Sequence, residues 1–325
     1  MSRMRGKQAA VLGGAGFVGS HLCDRLLADG AAAVVSVDNF VTGSPANLQH
    51  LKTESRFSSI TADITKEIPV ERPLDFVFNL ASPASPVDYA QLPIETLRAG
   101  SIGTENGVLL AAATGAVFLQ ASTSEIYGDP LVHPQTEDYA GNVNPVGPRA
   151  VYDEAKRYGE ALVSAYQRMG RVDARIARIF NTYGPRMRLN DGRVVPAFIG
   201  QALRGEDFTV FGTGKQTRSF CHVRDLVDGL IRLALSNVTD PVNLGNPVEF
   251  TMLEFAEAVR AAAGGGGKLS FRPLPVGDPQ QRRPDITRAR KLLQWEPKVQ
   301  LAEGLKETIE FFRGIAVRQS TPGAA

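Results

Sequence analysis

The chain has 325 residues, 43% hydrophobic and 22% charged, a globular balance sufficient for one large domain or two smaller ones without disulfide staples. Its 36 basic and 34 acidic residues leave a formal charge of +2, which excludes the broad basic surface that nucleic-acid binding needs; any anion site must be local. Cys23, Cys221 and four scattered histidines (His21, His50, His133, His222) lack metal-ligand spacing, so no metal is expected and the thiols fit a reducing, cytoplasmic setting.

Arg3, Arg5 and Lys7 ahead of the apolar run from Ala9 to Val18 imitate a signal peptide, but the glycines inside that run favour a folded strand and turn. No stretch reaches the roughly 20 apolar residues that span a bilayer, so no membrane partner is expected. Ala9 to Leu12 reads as a short buried strand, Gly13 to Gly19 as a turn, and Ser20 to Asp29, with Leu22, Leu26 and Leu27 at helical spacing, as a helix. Gly13, Gly16 and Gly19 permit a tight turn, close approach to a pyrophosphate, and packing of the helix on the sheet. The free N–H groups of the helix start, near Phe17 and Val18, then face the anion.

A second apolar strand, Ala33 to Val37, ends in Asp38, close to the interval at which an acidic residue meets an adenosine ribose. Asp38 is expected to accept from the 2'-hydroxyl of NAD and to repel the 2'-phosphate of NADP, with Asn39, Thr42 and Gly43 adjusting that choice. Strands and helices then alternate: Phe57 to Ile60, Asp75 to Leu80, a long helix around Ile94 to Ala113, Val117 to Ala121, a helix holding Tyr152, and Ala174 to Phe180. Such alternation predicts a parallel sheet covered on both faces, with ligands at the carboxyl ends of its strands, where Asp63, Leu80, Ser82 and Ala121 fall. Asp63 has two readings, a cap on the next turn or an adenine contact.

The candidate reaction centre is Ala121-Ser122-Thr123-Ser124-Glu125-Ile126-Tyr127-Gly128 with Tyr152-Asp153-Glu154-Ala155-Lys156. A tyrosine and a lysine four apart share one helix face, and a positive Lys156, with the nicotinamide charge, favours a Tyr152 phenolate able to act as base. Thr123 is placed to share a hydrogen bond with the same substrate hydroxyl. After Asn181 the chain is richer in loop signals, including Gly184-Pro185, Asp191-Gly192, Gly212-Thr213-Gly214 and Gly264 to Gly267. Residues 1–180 are expected to form the dinucleotide-binding domain, taking back about 219–245 through a helix from His222 to Ser236. Residues 181–325 are expected to form a smaller substrate-binding lobe with a frayed tail after about residue 315.

The chain resembles the extended short-chain dehydrogenases/reductases and, within them, the UDP-glucuronate decarboxylases, or UDP-xylose synthases. The resemblance runs from Ala9 to about Phe312. It is carried by Gly13 to Ser20, Leu80 to Pro86, Ala121 to Pro130, Asn144 to Arg157, Arg178 to Met187, Asn190 to Val195, Gln216 to Phe220, Val242 to Pro247 and Asp278 to Ile286. It implies a Rossmann-like, doubly wound α/β fold with NAD bound, and a UDP-sugar as the small-molecule partner. C4 of the glucuronate would be oxidised, CO2 lost from the resulting β-keto acid, and hydride returned, giving UDP-xylose or, on early release, UDP-4-keto-pentose.

The same resemblance implies that Glu125 lies near C5, that Ser124 lies near the substrate carboxylate, and that Arg282 meets that carboxylate. It implies substrate contacts from Pro83, Ser85, Arg98, Asn106, Asn181, Arg193 and Arg218, with Arg193 open to a salt-bridged loop reading. A homodimer is implied, through a four-helix bundle of the Ile94 to Ala113 and Tyr152 to Met169 helices. The chain departs from the family pattern at Asn79, Leu12 and Ala155, where histidine, threonine and glycine are usual. A sugar-nucleotide 4,6-dehydratase or 4-epimerase is the alternative enzyme, and a non-catalytic NAD sensor the alternative of another class.

Overall fold

The computed structural model describes residues 3–147, 149–273 and 281–320, with side chains to 315. Asp278, Pro279 and Gln280 of the Pro-rich loop, and the tail from 321, lie outside the described residues.

A glycine turn separates β1 (Gln8–Leu12) from α1 (Phe17–Ala28), and β2 (Ala33–Asp38) and β3 (Phe57–Thr61) follow. Next come β4 (Phe76–Asn79), α2 (Pro86–Gln91), α3 (Pro93–Arg98), α4 (Thr104–Thr114), β5 (Val117–Thr123), α5 (Ala150–Arg168) and β6 (Asp173–Ile179). The second half holds β7 (Thr182–Tyr183), α6 (Val194–Arg204), β8 (Phe208–Phe211), β9 (Thr217–Ser219), β10 (Cys221–His222) and α7 (Val223–Ala234). It ends with β11 (Val242–Leu244), β12 (Glu249–Thr251), α8 (Met252–Ala263), β13 (Leu269–Arg272), β14 (Gln281–Arg282), α9 (Thr287–Leu293) and α10 (Leu301–Ser320).

Seven strands pair in parallel in the order β11-β6-β5-β4-β1-β2-β3, the doubly wound sheet that the alternation predicted. Its central strands are apolar without alternation because both faces are covered. Along β1, Ala9 and Val11 point into a core with α1 and α7, whereas Ala10 and Leu12 point into one with α4 and α5. A third core, with Phe198, Phe208, Phe220, Phe255 and Phe312, packs α6, α8 and α10 around β8. Beside it, β12, β9 and β14 form a small sheet in which β14 runs parallel to β9 and sets Arg282 opposite Arg218.

The helix expected from Ile94 to Ala113 is present, helical without interruption from Pro93 to Thr114. Within it a five-residue π-helical turn, Ala99–Gly103, joins α3 to α4. α5 crosses close to this turn: a Cβ on Gly100 would lie 2.7 Å from both the Cβ and the carbonyl oxygen of Ala155, and one on Gly159 would lie 3.4 Å from the Gly100 oxygen. Ala155, where the family pattern has glycine, fits because Gly100 has no side chain. Gly100→Ala is therefore expected to cost about 1–3 kcal/mol, the usual range for overpacking a tight contact. Urea denaturation would read this as a lower midpoint, and an unchanged midpoint would mean that the helices can separate at this crossing without cost.

Candidate active site

The carboxyl ends of β1, β4 and β5 open into one cavity of about 1400 Å³, closed on its far side by the α6 lobe. Its inner end is the glycine turn. Gly13 has φ +80°, and a Cβ there would fall 2.8 Å from the Ala81 backbone; a Cβ on Gly19 would fall 2.1 Å from the Gly13 oxygen. Gly16 is the N-cap of α1, no side chain caps that end, and Gly13, Gly16, Phe17, Val18 and Gly19 all line the cavity. A backbone cradle that side chains would fill, facing an uncapped helix start, fits a dinucleotide pyrophosphate. Thr42, Leu80, Ser82 and Ala121 continue the lining.

Asp38 ends β2 just outside this lining, and its carboxylate accepts from the Ala15 N–H at 2.9 Å and the Phe40 N–H at 2.8 Å. Burial pushes its carboxyl up, against the pull of those two N–H groups. A Cβ on Gly43 would lie 2.8 Å from Asp38 Oδ1, so Gly43 lets the loop close over the acid. The Ser44 N–H and Asn47 Nδ2 both donate to the Ala15 oxygen, at 3.0 and 2.9 Å, and draw the loop onto the glycine turn. Asn39 is exposed and accepts from the Val41 N–H. Asp63 accepts from both the N–H and the hydroxyl of Thr65, which is the capping reading of that residue.

Thr123 ends β5 and caps a 3-10 turn, Ser124–Tyr127, by accepting from the Glu125 N–H at 3.3 Å. Tyr152 and Lys156 stand one turn apart on α5, 7% and 5% exposed. Tyr152 stacks on Tyr89 with ring centroids 5.2 Å apart, and Lys156 Nζ lies 5.7 Å from the Tyr152 ring while donating to the Ala121 oxygen at 2.9 Å. Burial lowers the Lys156 ammonium to about 8, with Glu160 opposing. Burial and then Glu125 push the Tyr152 phenol above its ordinary range, against a hydrogen bond to Thr123. The protein's own groups thus keep the phenol protonated.

Glu125 is gripped from both sides. Arg149 Nη2 donates to Oε2 at 2.6 Å and Arg282 Nη1 to Oε1, while Arg282 Nη2 holds the Gly128 oxygen at 2.8 Å. Burial alone would raise the Glu125 carboxyl, but the guanidiniums of Arg282 and Arg149 overcome it and hold the group below its ordinary value. Ser124 is buried beside it on the cavity wall. Arg282 reaches this point because the loop after β5 straps β14 in place: the Gln135 N–H donates to the Arg283 oxygen and Gln135 Oε1 accepts from the Arg283 N–H, both at 2.9 Å.

Toward the α6 lobe the cavity is lined by Ser85, Asn181, Arg193 and Arg218. Arg193 donates to Asp191 through Nη2 at 2.6 Å and Nε at 2.8 Å, so it is both a salt-bridged loop residue and a cavity residue. Ser85 caps α2 and donates to Asp88 at 2.7 Å. Pro83 is buried beneath the lining, Arg98 is exposed on α3, and the Asn106 amide donates to the Ile64 and Lys66 oxygens at 2.8 Å each. Arg98, which ends α3 before the π-helical turn, and Asn106, on α4 after it, do not line the cavity. Arg149, Arg186, Arg188 and Tyr89 do line it without having been singled out by sequence reasoning. For Arg149 a signal existed, since it stands three residues before Tyr152.

The model of the NAD dependent epimerase/dehydratase family matches residues 9–245. The chain is 52% identical over 307 residues to UDP-glucuronic acid decarboxylase 1 of Xenopus tropicalis, covering 94% of its own length and 72% of that relative. It is 53% identical over 306 residues to UDP-glucuronic acid decarboxylase 4 of Arabidopsis thaliana, covering 94% and 68%. Among solved structures it is similar to UDP-glucuronic acid 4-epimerase from Bacillus cereus in complex with UDP-glucuronic acid and NAD, at 28% identity and TM-score 0.84, covering 95% of this chain and 99% of that one. A glycine cradle, a Tyr152–Lys156 pair and an identity above half along nearly the whole chain converge: the chain belongs to the NAD dependent epimerase/dehydratase family and, within it, to the UDP-glucuronic acid decarboxylases.

Proposed function

We propose that this protein is an NAD-dependent UDP-glucuronate decarboxylase that works through a 4-keto intermediate and yields UDP-xylose, with UDP-4-keto-pentose as the early-release product. The observation that carries this reading is a carboxylate clamped between two arginines, Arg149–Glu125–Arg282, in the same cavity as a buried Tyr152–Lys156 pair. One part handles a ring hydroxyl and the other a charged sugar.

In this reading the glycine turn and the α1 start hold the pyrophosphate, the Asp38 loop faces the adenosine ribose, and Tyr152 and Lys156 meet the nicotinamide ribose. NAD, when bound, supplies the hydride acceptor for C4 and the donor that restores it. Tyr152 takes the proton of the C4 hydroxyl while Thr123 shares its hydrogen bond and fixes its direction. Because the protein alone pushes the phenol up, the phenolate depends on the positive nicotinamide beside it and on Lys156 remaining charged. The C4 ketone is β to the C5 carboxylate, so the C–C bond breaks with its electron pair entering the ketone. Arg282 turns the carboxylate toward that geometry, Ser124 lies alongside it, and Glu125 directs the proton to C5. Arg218 and Arg193 suit a diphosphate as guanidinium forks, with Asn181 and Ser85 beside the sugar.

Ile94, Ile102, Leu109 and Tyr158, at 52%, 46%, 48% and 51% exposure, lie bare on the α3, α4 and α5 layer. This supports a homodimer that covers them in a four-helix bundle. No helix among the described residues is long and apolar enough to cross a membrane, and the two buried free thiols suit a reducing cytoplasm.

With NAD present, the purified protein is expected to release CO2 from UDP-glucuronate and none from UDP-glucose. Tyr152→Phe should reduce the release by about 10²–10⁴-fold with folding intact; full activity in that variant would contradict the assignment. Lys156 adds a pH signature. An unfolded lysine keeps its proton to about 10.4, whereas the buried one gives it up near 8, so the unfolded state binds more protons in that window. The stability of the wild type relative to Lys156→Met should therefore rise between pH 8 and 10, by up to about 3 kcal/mol; a flat difference would mean that the lysine is not desolvated. Sedimentation equilibrium should give a dimer that Leu109→Glu converts to monomer, and a wild type that is monomeric at micromolar concentration would retire the bundle.

A further inference from the structure

At the end of the cavity that holds Glu125, the guanidiniums of Arg149 and Arg282 meet its carboxylate from two sides, and all three side chains are largely buried: Glu125 is 15% exposed, Arg149 26% and Arg282 3%. Among the described residues the other groups facing Glu125 are Arg218 from β9, Tyr152 and Asp153 from α5, and Tyr89 from α2. Burial and Glu125 itself push the Asp153 carboxyl up to about 7. A second observation points to a ligand: Arg282 Nε is buried with no partner among the described residues. A buried guanidinium donor without an acceptor calls for an acceptor from the ligand, and a carboxylate suits it best.

Under the reading given above that carboxylate is the one on C5 of the sugar, and this inference rests on that reading. Arg282 cannot serve it while spending its full charge on Glu125, and two carboxylates sharing one guanidinium would repel until one took up a proton. Arg149 removes the conflict, since it grips Glu125 through Oε2 from a separate backbone segment at the start of α5. We propose that Arg149 is a positioning and specificity residue: it keeps Glu125 ionised and aimed while Arg282 turns to the substrate carboxylate, so that this pair of arginines selects an anionic sugar over a neutral one.

The test is binding to the NAD-loaded protein, measured by calorimetry from pH 6 to 8 with UDP-glucuronate and UDP-glucose. Arg149→Met should weaken UDP-glucuronate by roughly 10-fold or more at pH 8, as expected when a charged hydrogen bond is lost. UDP-glucose should change by less than about 3-fold, since it brings no carboxylate. The loss should shrink as the pH falls, because Glu125 can then accept a proton when the substrate binds. In the double variant Arg149→Met/Glu125→Gln both the loss and its added pH dependence should vanish, which assigns that proton to Glu125 rather than Asp153. Arg149→Lys, which keeps the charge, should sit between wild type and Arg149→Met and serves if the methionine variant folds poorly. Equal weakening of both nucleotide sugars, or a loss that persists with Glu125→Gln, would overturn the proposal. Failure of the functional reading shows separately, as a wild type that binds these sugars but releases no CO2 from UDP-glucuronate.

Discussion

The site depends on helix α5 being pinned to the tip of β5. Lys156 Nζ donates to the Ala121 oxygen at 2.9 Å, and one turn further on Glu160 accepts from the Ser122 hydroxyl at 2.5 Å. Arg178 on β6 then closes a two-pronged fork on Glu160, with Nε to Oε1 at 3.0 Å and Nη2 to Oε2 at 2.9 Å, while its Nη1 donates to the Tyr127 hydroxyl at 3.0 Å. Tyr127 passes the link to Asn243 on β11 at 2.8 Å, and the Asn243 amide donates to the Gln135 and Asp285 oxygens at 3.0 and 3.2 Å. Three strands, one helix and the strap beneath Arg282 therefore share one buried polar network. Satisfied on all sides, such a network rigidifies; stripped of one partner, it leaves a buried charge. The spacing between Thr123 and Tyr152 follows from it.

A second constraint acts on charge. Glu125 belongs to the β5 tip, Arg149 to the entrance of α5, and Arg282 to a strand more than 150 positions downstream of Glu125, as the separation of 157 records. The large sheet places the first two and the small β12-β9-β14 sheet places the third. Hydride chemistry at a hydroxyl needs only the former. Under the proposed function a ligand bearing a carboxylate uses both, with Arg282 coming from the small sheet.

What could be read from the residues in order was what depends on near neighbours in the chain. The glycine turn, Asp38 at the end of the second strand, and Tyr152 with Lys156 on one helix face are each local patterns whose geometry the backbone alone dictates. The π-helical turn at Ala99–Gly103 inside the Ile94 to Ala113 helix was not legible, and neither was its close approach to Ala155, which lies on another helix. Arg98 and Asn106 stood out as polar residues at family positions, yet neither lines the cavity, and the Asn106 amide is spent on the Ile64 and Lys66 oxygens just past the end of β3. Asp38 showed its position but not that its carboxylate is already engaged by Ala15 and Phe40, and Arg149 acquires meaning only once Arg282 is seen on the opposite side of Glu125.

Solvent labelling tests the central claim most directly, because a decarboxylation that exchanges one carboxyl for one proton at C5 and restores the hydrogen of C4 leaves a distinct mark. With UDP-glucuronate and NAD in D2O, the pentose product should carry one deuterium at C5 and the substrate's own hydrogen at C4, read by NMR. A product unlabelled at C5, or a sugar that keeps its carboxylate and is altered only at C4, would contradict the account.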